Sequence, residues 1–253
     1  MIALVAFDLD GTLAESKQPM DPVMAGLLRD LLAVVRVAII SGGGWGQFEH
    51  QMLEELPGDA DRTRLYLMPT SGTQLYRFEG DWRKVYAEDF TQGERVHILR
   101  ALHDAVDEAG FSDPRLWGDR IEDRGSQITF SGLGQKAPPE AKSIWDPDGR
   151  KRARLQALLA PMLPGFAVRI GGSTSVDITR QGIDKAYGIL KLLDLVGIAA
   201  ADALFVGDAL YPGGNDAPVQ RAGIASIAVR GVGDTRRVIE TILGSSAERG
   251  SVR

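Results

Sequence analysis

Apolar residues at the start of the chain fall into short continuous runs, Ile2 to Phe7 and Val35 to Ile40, with Asp21-Pro22 between them. Runs of that length suit strands buried on both faces, and an N-cap residue followed by a first-turn proline opens a helix. The resulting β-α-β order predicts a parallel sheet. Leu65 to Met68 adds a strand, and short buried strands return at Ala203 to Val206 and Ser226 to Val229. Between about Val85 and Arg180 the texture changes to helices at Glu94 to Ala109 and Lys151 to Leu163, mixed with half-buried strands at Gln127 to Phe130 and Phe166 to Ile170. In Ser175-Val176-Asp177-Ile178-Thr179 polar and apolar residues alternate, which sets Ser175, Asp177 and Thr179 on one face and Val176 and Ile178 on the other.

These patterns predict an α/β protein whose doubly wound core is split by an inserted α+β cap. The expected parts are a first core segment over 1–84, a cap over 85–180, a second core segment over 181–243 and a polar, glycine-rich disordered tail over 244–253. No internal repeat is visible.

Composition narrows the function classes. The 253 residues are 44% hydrophobic and 25% charged, enough for a substantial core in one or two domains. A net charge of -5 and a pI near 5.3 argue against a broad nucleic-acid surface and favour a small-molecule partner. The absence of cysteine excludes a disulfide framework, a thiolate metal site and a cysteine nucleophile. The apolar start lacks a basic n-region and the run Leu31 to Ile40, broken by Arg36, is too short to span a bilayer, so no membrane role and a cytoplasmic location are expected.

Candidate chemistry begins at Phe7-Asp8-Leu9-Asp10-Gly11-Thr12-Leu13, two carboxylates after an apolar strand. In an extended segment both point the same way, and ligands of open parallel sheets bind beyond the carboxyl ends of the strands. One acid could attack phosphorus while the other moves the leaving-group proton. Metal-binding sugar transferases and solvated turns also carry such pairs. Ile39-Ile40-Ser41-Gly42-Gly43 ends a second strand with a hydroxyl and flexible N–H groups suited to a phosphate, or alternatively with a serine N-cap. Lys185, in Gly182-Ile183-Asp184-Lys185, opens an amphipathic helix that continues to Gly197. A cation there opposes the helix dipole unless an anion binds beside it; the alternative is a surface lysine. Val206-Gly207-Asp208 ends a third strand, and Asn215-Asp216 follows Gly213-Gly214. These oxygens suit Mg2+, with Asp8, the backbone carbonyl of Asp10, Asp208 and Asp216 as candidate ligands, or they belong to ordinary turns.

Taken in order, the four segments resemble the four motifs of the haloacid dehalogenase superfamily. The resemblance implies a Rossmann-like core, Asp8 as the residue that becomes aspartyl phosphate, Asp10 as acid and base, Ser41 and Lys185 as phosphate binders, and Asp208 as a magnesium ligand. A closer resemblance, to eukaryotic-type phosphomannomutases, rests on Gly207-Asp208 to Asn215-Asp216 with its six-residue spacer, Gly171-Gly172 to Ile178, Gly182 to Lys185, and Asp234-Thr235-Arg236-Arg237. It implies that Arg124, Ser175 and Asp177 grip the distal end of a sugar phosphate; Gly42, Lys142 and Asn215 are further candidate substrate contacts. Arg124 could instead pair with Glu122 or Asp123, and Ser175 and Asp177 could be the polar side of an edge strand.

The chain departs from the mutase pattern where Gln135, Lys142 and Lys17 stand in place of arginines, and Ser41 fits the phosphatase form of the second motif. Lysine lacks the bidentate fork of arginine and glutamine lacks its charge, so the distal phosphate site is expected to be looser. The expectation is therefore a Mg2+-dependent phosphohydrolase acting on a sugar phosphate or similar small ester. A phosphomannomutase or phosphoglucomutase, and a non-catalytic phosphometabolite-binding protein, are the alternatives, and a homodimer is left open. Trp117 and Trp145 read as packing residues, and His50, His97 and His103 show no metal or triad spacing.

Overall fold

In the computed structural model, residues 2–111 and 115–250 are described. In chain order the strands are β1 (Leu4–Asp8), β2 (Arg36–Ile40), β3 (Leu65–Met68), β4 (Gln74–Phe78), β5 (Trp82–Ala87), β6 (Ile121–Asp123), β7 (Ile128–Ser131), β8 (Phe166–Ile170), β9 (Ser175–Arg180), β10 (Ala203–Gly207) and β11 (Ala225–Ala228). The helices are α1 (Pro22–Val34), α2 (Trp45–Phe48), α3 (Gln92–Ala109), α4 (Pro139–Trp145), α5 (Arg150–Met162), α6 (Lys185–Val196), α7 (Ala217–Arg221) and α8 (Val232–Gly250). Two compact units result: Met1–Tyr86 with Asp184–Arg253, and Ala87–Ile183.

The first unit holds a seven-stranded sheet in the order β11-β10-β1-β2-β3-β4-β5. Pairings from β11 through β3 are parallel, and β4 joins β3 antiparallel. The apolar runs alternate between two cores. Val5, Phe7, Val37, Ile39, Leu65 and Leu67 pack with Leu28, Leu31 and Leu32 of α1 and Ile239 of α8. Leu4, Ala6, Ala38, Ile40, Tyr66 and Met68 pack with Ile189, Leu192 and Leu193 of α6 and Val219 of α7. Burial on both faces explains why these strands read as continuous apolar runs. Asp21 caps α1 by accepting from the N–H groups of Val23 and Met24, with Pro22 in its first turn.

The second unit is an antiparallel sheet in the order β6-β7-β9-β8, covered by α3 and α5. Its core includes Ile98, Leu102, Ile128, Phe130, Leu155, Leu159, Val176 and Ile178. A capping box between Thr91 and Glu94 opens α3. Trp145 packs with Leu133, Ala137 and Trp117, as expected, and His97 and His103 are exposed on α3.

Three expectations need correction. β11 is not buried: Ala225 and Ala228 are exposed and Ile227 is 37% exposed, because the strand lies at the sheet edge. Residues 244–250, expected as a disordered tail, continue α8, while 251–253 lie outside the described residues. β4 and β5 were not anticipated, since their residues follow neither a clean alternation nor an apolar run.

Candidate active site

The sheet order reverses between β1 and β10: the chain builds outward from β1 through β2 and β3 on one side and places β10 and β11 on the other. Such a switch point opens a crevice at the carboxyl ends of the strands. Asp8 closes β1 there, and Asp208 follows directly on β10.

Lys185 is the first residue of α6 and is 2% exposed. The alternative of a surface lysine is thereby overturned. Its Nζ donates to Asp8 Oδ1 at 2.5 Å and to Asp216 Oδ1 at 2.6 Å. Asp216, fully buried, accepts the N–H of Ala209 on its other oxygen at 2.9 Å, which ties the loop after β10 into a fixed turn. Asp184 caps α6 by accepting from the Tyr187 N–H at 3.0 Å.

Carboxylate oxygens of Asp8, Asp208 and Asp216 all lie within 4.8 Å of one another. Burial pushes the Asp8 carboxyl up to about 7, against the pull of Lys185 and with a further push from Asp216. Burial also raises Asp208, again helped by Asp216. Burial alone would lower the Lys185 ammonium, but Asp8 and Asp216 hold it above its ordinary value. Three carboxylates against one ammonium leave negative charge uncompensated, and hard oxygen donors at this spacing fit a divalent cation such as Mg2+. Asp208, the most exposed of the three, completes the set from the solvent side. Gly11, at φ +78°, passes so close that a Cβ there would lie 2.5 Å from Asp208 Oδ2.

The Asp10 carboxylate is held differently from the sequence expectation. β1 ends at Asp8, so the extended spacing that would align the two acids stops before Asp10. Its Oδ1 accepts the backbone N–H of Lys17 at 2.7 Å and Gln51 Nε2 at 3.3 Å, and its Oδ2 accepts Gln47 Nε2 at 2.6 Å. Gln47 and Gln51 were missed in the sequence. Gln51 sits in a widened, π-type turn, Glu49–Leu53, a local feature often found at functional sites. Lys17, where an arginine was expected, has an exposed side chain and reaches Asp10 through its backbone, at φ +58°.

Ser41, 4% exposed, does not cap a helix: its Oγ accepts the Gly43 N–H at 3.1 Å, and Gly44 is the N-cap of α2. The Ser41-Gly42-Gly43 loop is clamped by the turn after β3, where the Ser71 N–H donates to the Ser41 carbonyl at 2.8 Å and the Thr70 N–H to the Gly43 carbonyl at 2.9 Å. Thr70 and Ser71 adopt left-handed conformations, φ 52° and 57°, uncommon for residues with side chains. Asn215 is exposed on the loop before Asp216.

Within the insert, Asp177 accepts from Thr129 Oγ1 at 2.7 Å, and Gly171 packs against both Asp177 and Ser175. Arg124 donates to Glu122 at 2.7 Å, the pairing weighed in the sequence. Lys142 lies half-buried on α4. Arg152, not anticipated, bonds Asp146 at 2.7 Å and donates to the Gly172 carbonyl at 2.8 Å, bracing the Gly171-Gly172 turn.

A parallel core with an α+β insert defines an α/β protein, and at its switch point three carboxylates and one lysine gather. No model of a known protein family matches the chain. Among curated proteins it is similar to the phosphomannomutase of Encephalitozoon cuniculi (strain GB-M1), 27% identical over 248 residues that cover 94% of this chain and 92% of that protein. It is likewise similar to phosphomannomutase 1 of Homo sapiens, 27% identical over 227 residues, covering 84% and 81%. Among solved structures, a haloacid dehalogenase-like hydrolase from Bacteroides thetaiotaomicron aligns with a TM-score of 0.63 at 18% identity over 96% of this chain and all of that one (100%). An IMP-bound, N-terminally truncated IMP-nucleotidase of Plasmodium falciparum aligns with a TM-score of 0.66 at 17% identity, over 96% of this chain and 68% of that one. In sequence the chain is thus similar to phosphomannomutases, and it shares the fold of a haloacid dehalogenase-like hydrolase. Among the described residues no helix is long and apolar enough to cross a membrane.

Proposed function

We propose that the protein is a Mg2+-dependent phosphohydrolase that acts on a sugar phosphate or similar small phosphate ester through an aspartyl-phosphate intermediate on Asp8. The observation that carries this reading is Lys185 Nζ bound to both Asp8 and Asp216, with Asp208 in the same cluster. The Asp8 oxygen attacks phosphorus in line while the bond from phosphorus to the ester oxygen breaks, and Asp10 gives that oxygen a proton. Water then attacks the phosphoryl group, Asp10 takes up the water proton, and the bond from Asp8 to phosphorus breaks to release phosphate. Lys185 neutralises charge on the phosphoryl group, and Ser41 and Gly42 bind its remaining oxygens. Mg2+, held by Asp8, Asp208, Asp216 and the Asp10 carbonyl, would supply the further positive charge that the transferring group needs. Gln47, Gln51 and the Lys17 backbone aim the Asp10 carboxylate. Asn215, Arg124, Lys142, Ser175 and Asp177 are proposed to contact the remainder of the substrate.

A mutase that returns the phosphoryl group to the sugar is the second reading, favoured by the curated relatives' names. Hydrolysis is preferred because Lys17, Gln135 and Lys142 replace arginines that a strong distal phosphate site would use. A paired assay with Mg2+ tests both, following free phosphate and hexose 1-phosphate to 6-phosphate conversion with and without a hexose bisphosphate. Phosphate release alone supports the phosphatase, whereas activator-dependent isomerisation would replace it with the mutase. Asp8→Asn should lower either activity by about 10⁴-fold or more with the fold intact. Retained turnover in that variant would remove Asp8 as nucleophile.

A further inference from the structure

The amino edge of the core sheet carries a second concave feature, a cavity of about 380 Å³. Arg36 opens β2, Arg64 immediately precedes β3 and Arg77 lies on β4, and all three line this cavity. Asp8 closes β1 and Ser41 follows β2, so the catalytic groups lie at the opposite ends of the same strands, about 15 Å away at roughly 3.3 Å per residue. Among the described residues no carboxylate lines the cavity.

The three guanidinium groups differ in how far they are already answered. Arg64 pairs with Asp61 at 3.3 Å and donates to the Ala33 carbonyl at 3.0 Å. Arg77 stacks over the Tyr66 ring, 5.8 Å from its centroid, and its Nε is buried without a hydrogen-bond partner. Arg36 is exposed and makes no ion pair among the described residues. Such clustering is not a by-product of composition, since the chain as a whole carries a charge of -5. Three like charges around one cavity repel each other, and a polyanion bound among them turns that repulsion into attraction. The volume suits a small molecule, and Ile2, Val34 and Val35 give the cavity an apolar wall.

We propose that this cavity is an anion site, separate from the catalytic carboxylates, for a small molecule bearing a di- or triphosphate group. Arginine forks match phosphate oxygens two at a time, whereas a singly charged anion would leave most of the guanidinium charge unanswered.

The test is calorimetric titration of the full chain with tripolyphosphate in EDTA, comparing wild type with Arg36→Gln, Arg64→Gln, Arg77→Lys and Asp8→Asn. The first two changes lie at exposed positions and leave the core untouched, and Arg77→Lys keeps the charge while removing the fork. Expected are one-to-one saturable binding in wild type, a weakening of about tenfold or more in each arginine variant, and unchanged binding in Asp8→Asn. Absence of saturable binding, indifference to the arginine changes, or loss of binding in Asp8→Asn would each overturn the proposal.

Discussion

Gly72 and Gly188 meet backbone to backbone: a Cβ on Gly72 would lie 2.4 Å from Gly188 Cα, and one on Gly188 would lie 2.7 Å from the Ser71 carbonyl oxygen. This contact seats α6 against the turn after β3. The same turn clamps the Ser41 loop, and α6 begins with Lys185, so one close approach helps place both groups.

Gly188→Ala tests that coupling. In an exposed helix the change would gain about 1 kcal/mol of helix propensity. Here the new methyl meets backbone atoms that cannot swing aside, and a net loss of about 1–3 kcal/mol is expected, together with a drop in turnover of about 10- to 100-fold as Lys185 shifts. Denaturant unfolding and turnover of a generic phosphate ester measure the two effects. Unchanged or increased stability would contradict the contact.

Lys185→Met leaves Asp8 and Asp216 buried without their shared cation. Removing one partner of a buried ion cluster costs about 3–5 kcal/mol. Thermal unfolding in EDTA should show a large loss, and added Mg2+ should recover part of it if the carboxylates hold a cation. A variant as stable as wild type in EDTA would mean that the cluster is not energetically coupled.

Gln47→Ala removes the shorter of the two amide contacts to Asp10, and Gln51→Ala removes the longer one together with the 2.9 Å bond to the Gln18 carbonyl. Both should lower kcat with little change in KM, by about 100-fold for Gln47 and less for Gln51, since a misaimed acid slows the proton step without weakening ground-state binding. A rise in KM at constant kcat would place the glutamines in substrate binding instead.

Asp146, with its side chain fully buried, accepts from the N–H groups of Lys151 and Arg152 and from Arg152 Nε. Burial alone would raise its carboxyl, but the Arg152 hydrogen bond and the backbone donors outweigh burial and hold it below the ordinary 3.8. A depressed folded value means that the stabilisation is complete above the ordinary pKa and is lost as pH falls through the lower folded one. Asp146→Ala should therefore destabilise the insert by about 3 kcal/mol at neutral pH and flatten the loss of stability below about pH 4. Hydrogen exchange across Arg150–Met162 as a function of pH reads both.

The sequence alone carried the parts that depend on neighbours along the chain. Two-sided burial wrote β1, β2, β3 and β10 as apolar runs, Asp21-Pro22 marked one helix start, and Asp8, Ser41, Lys185 and the Asp208 to Asp216 loop stood out at strand and helix ends. Tertiary structure decided which of these groups touch. Lys185 reaches Asp8 across 177 positions of sequence, and Gln47 reaches Asp10 across 37, through pairings that no local periodicity encodes. The exposure of β11 was hidden for a related reason, because an edge strand and a central one can share the same residues and differ only in what lies beside them. Arg36, Arg64 and Arg77 show the same limit, since they precede or occupy three different strands and form a cluster only once the sheet aligns their ends.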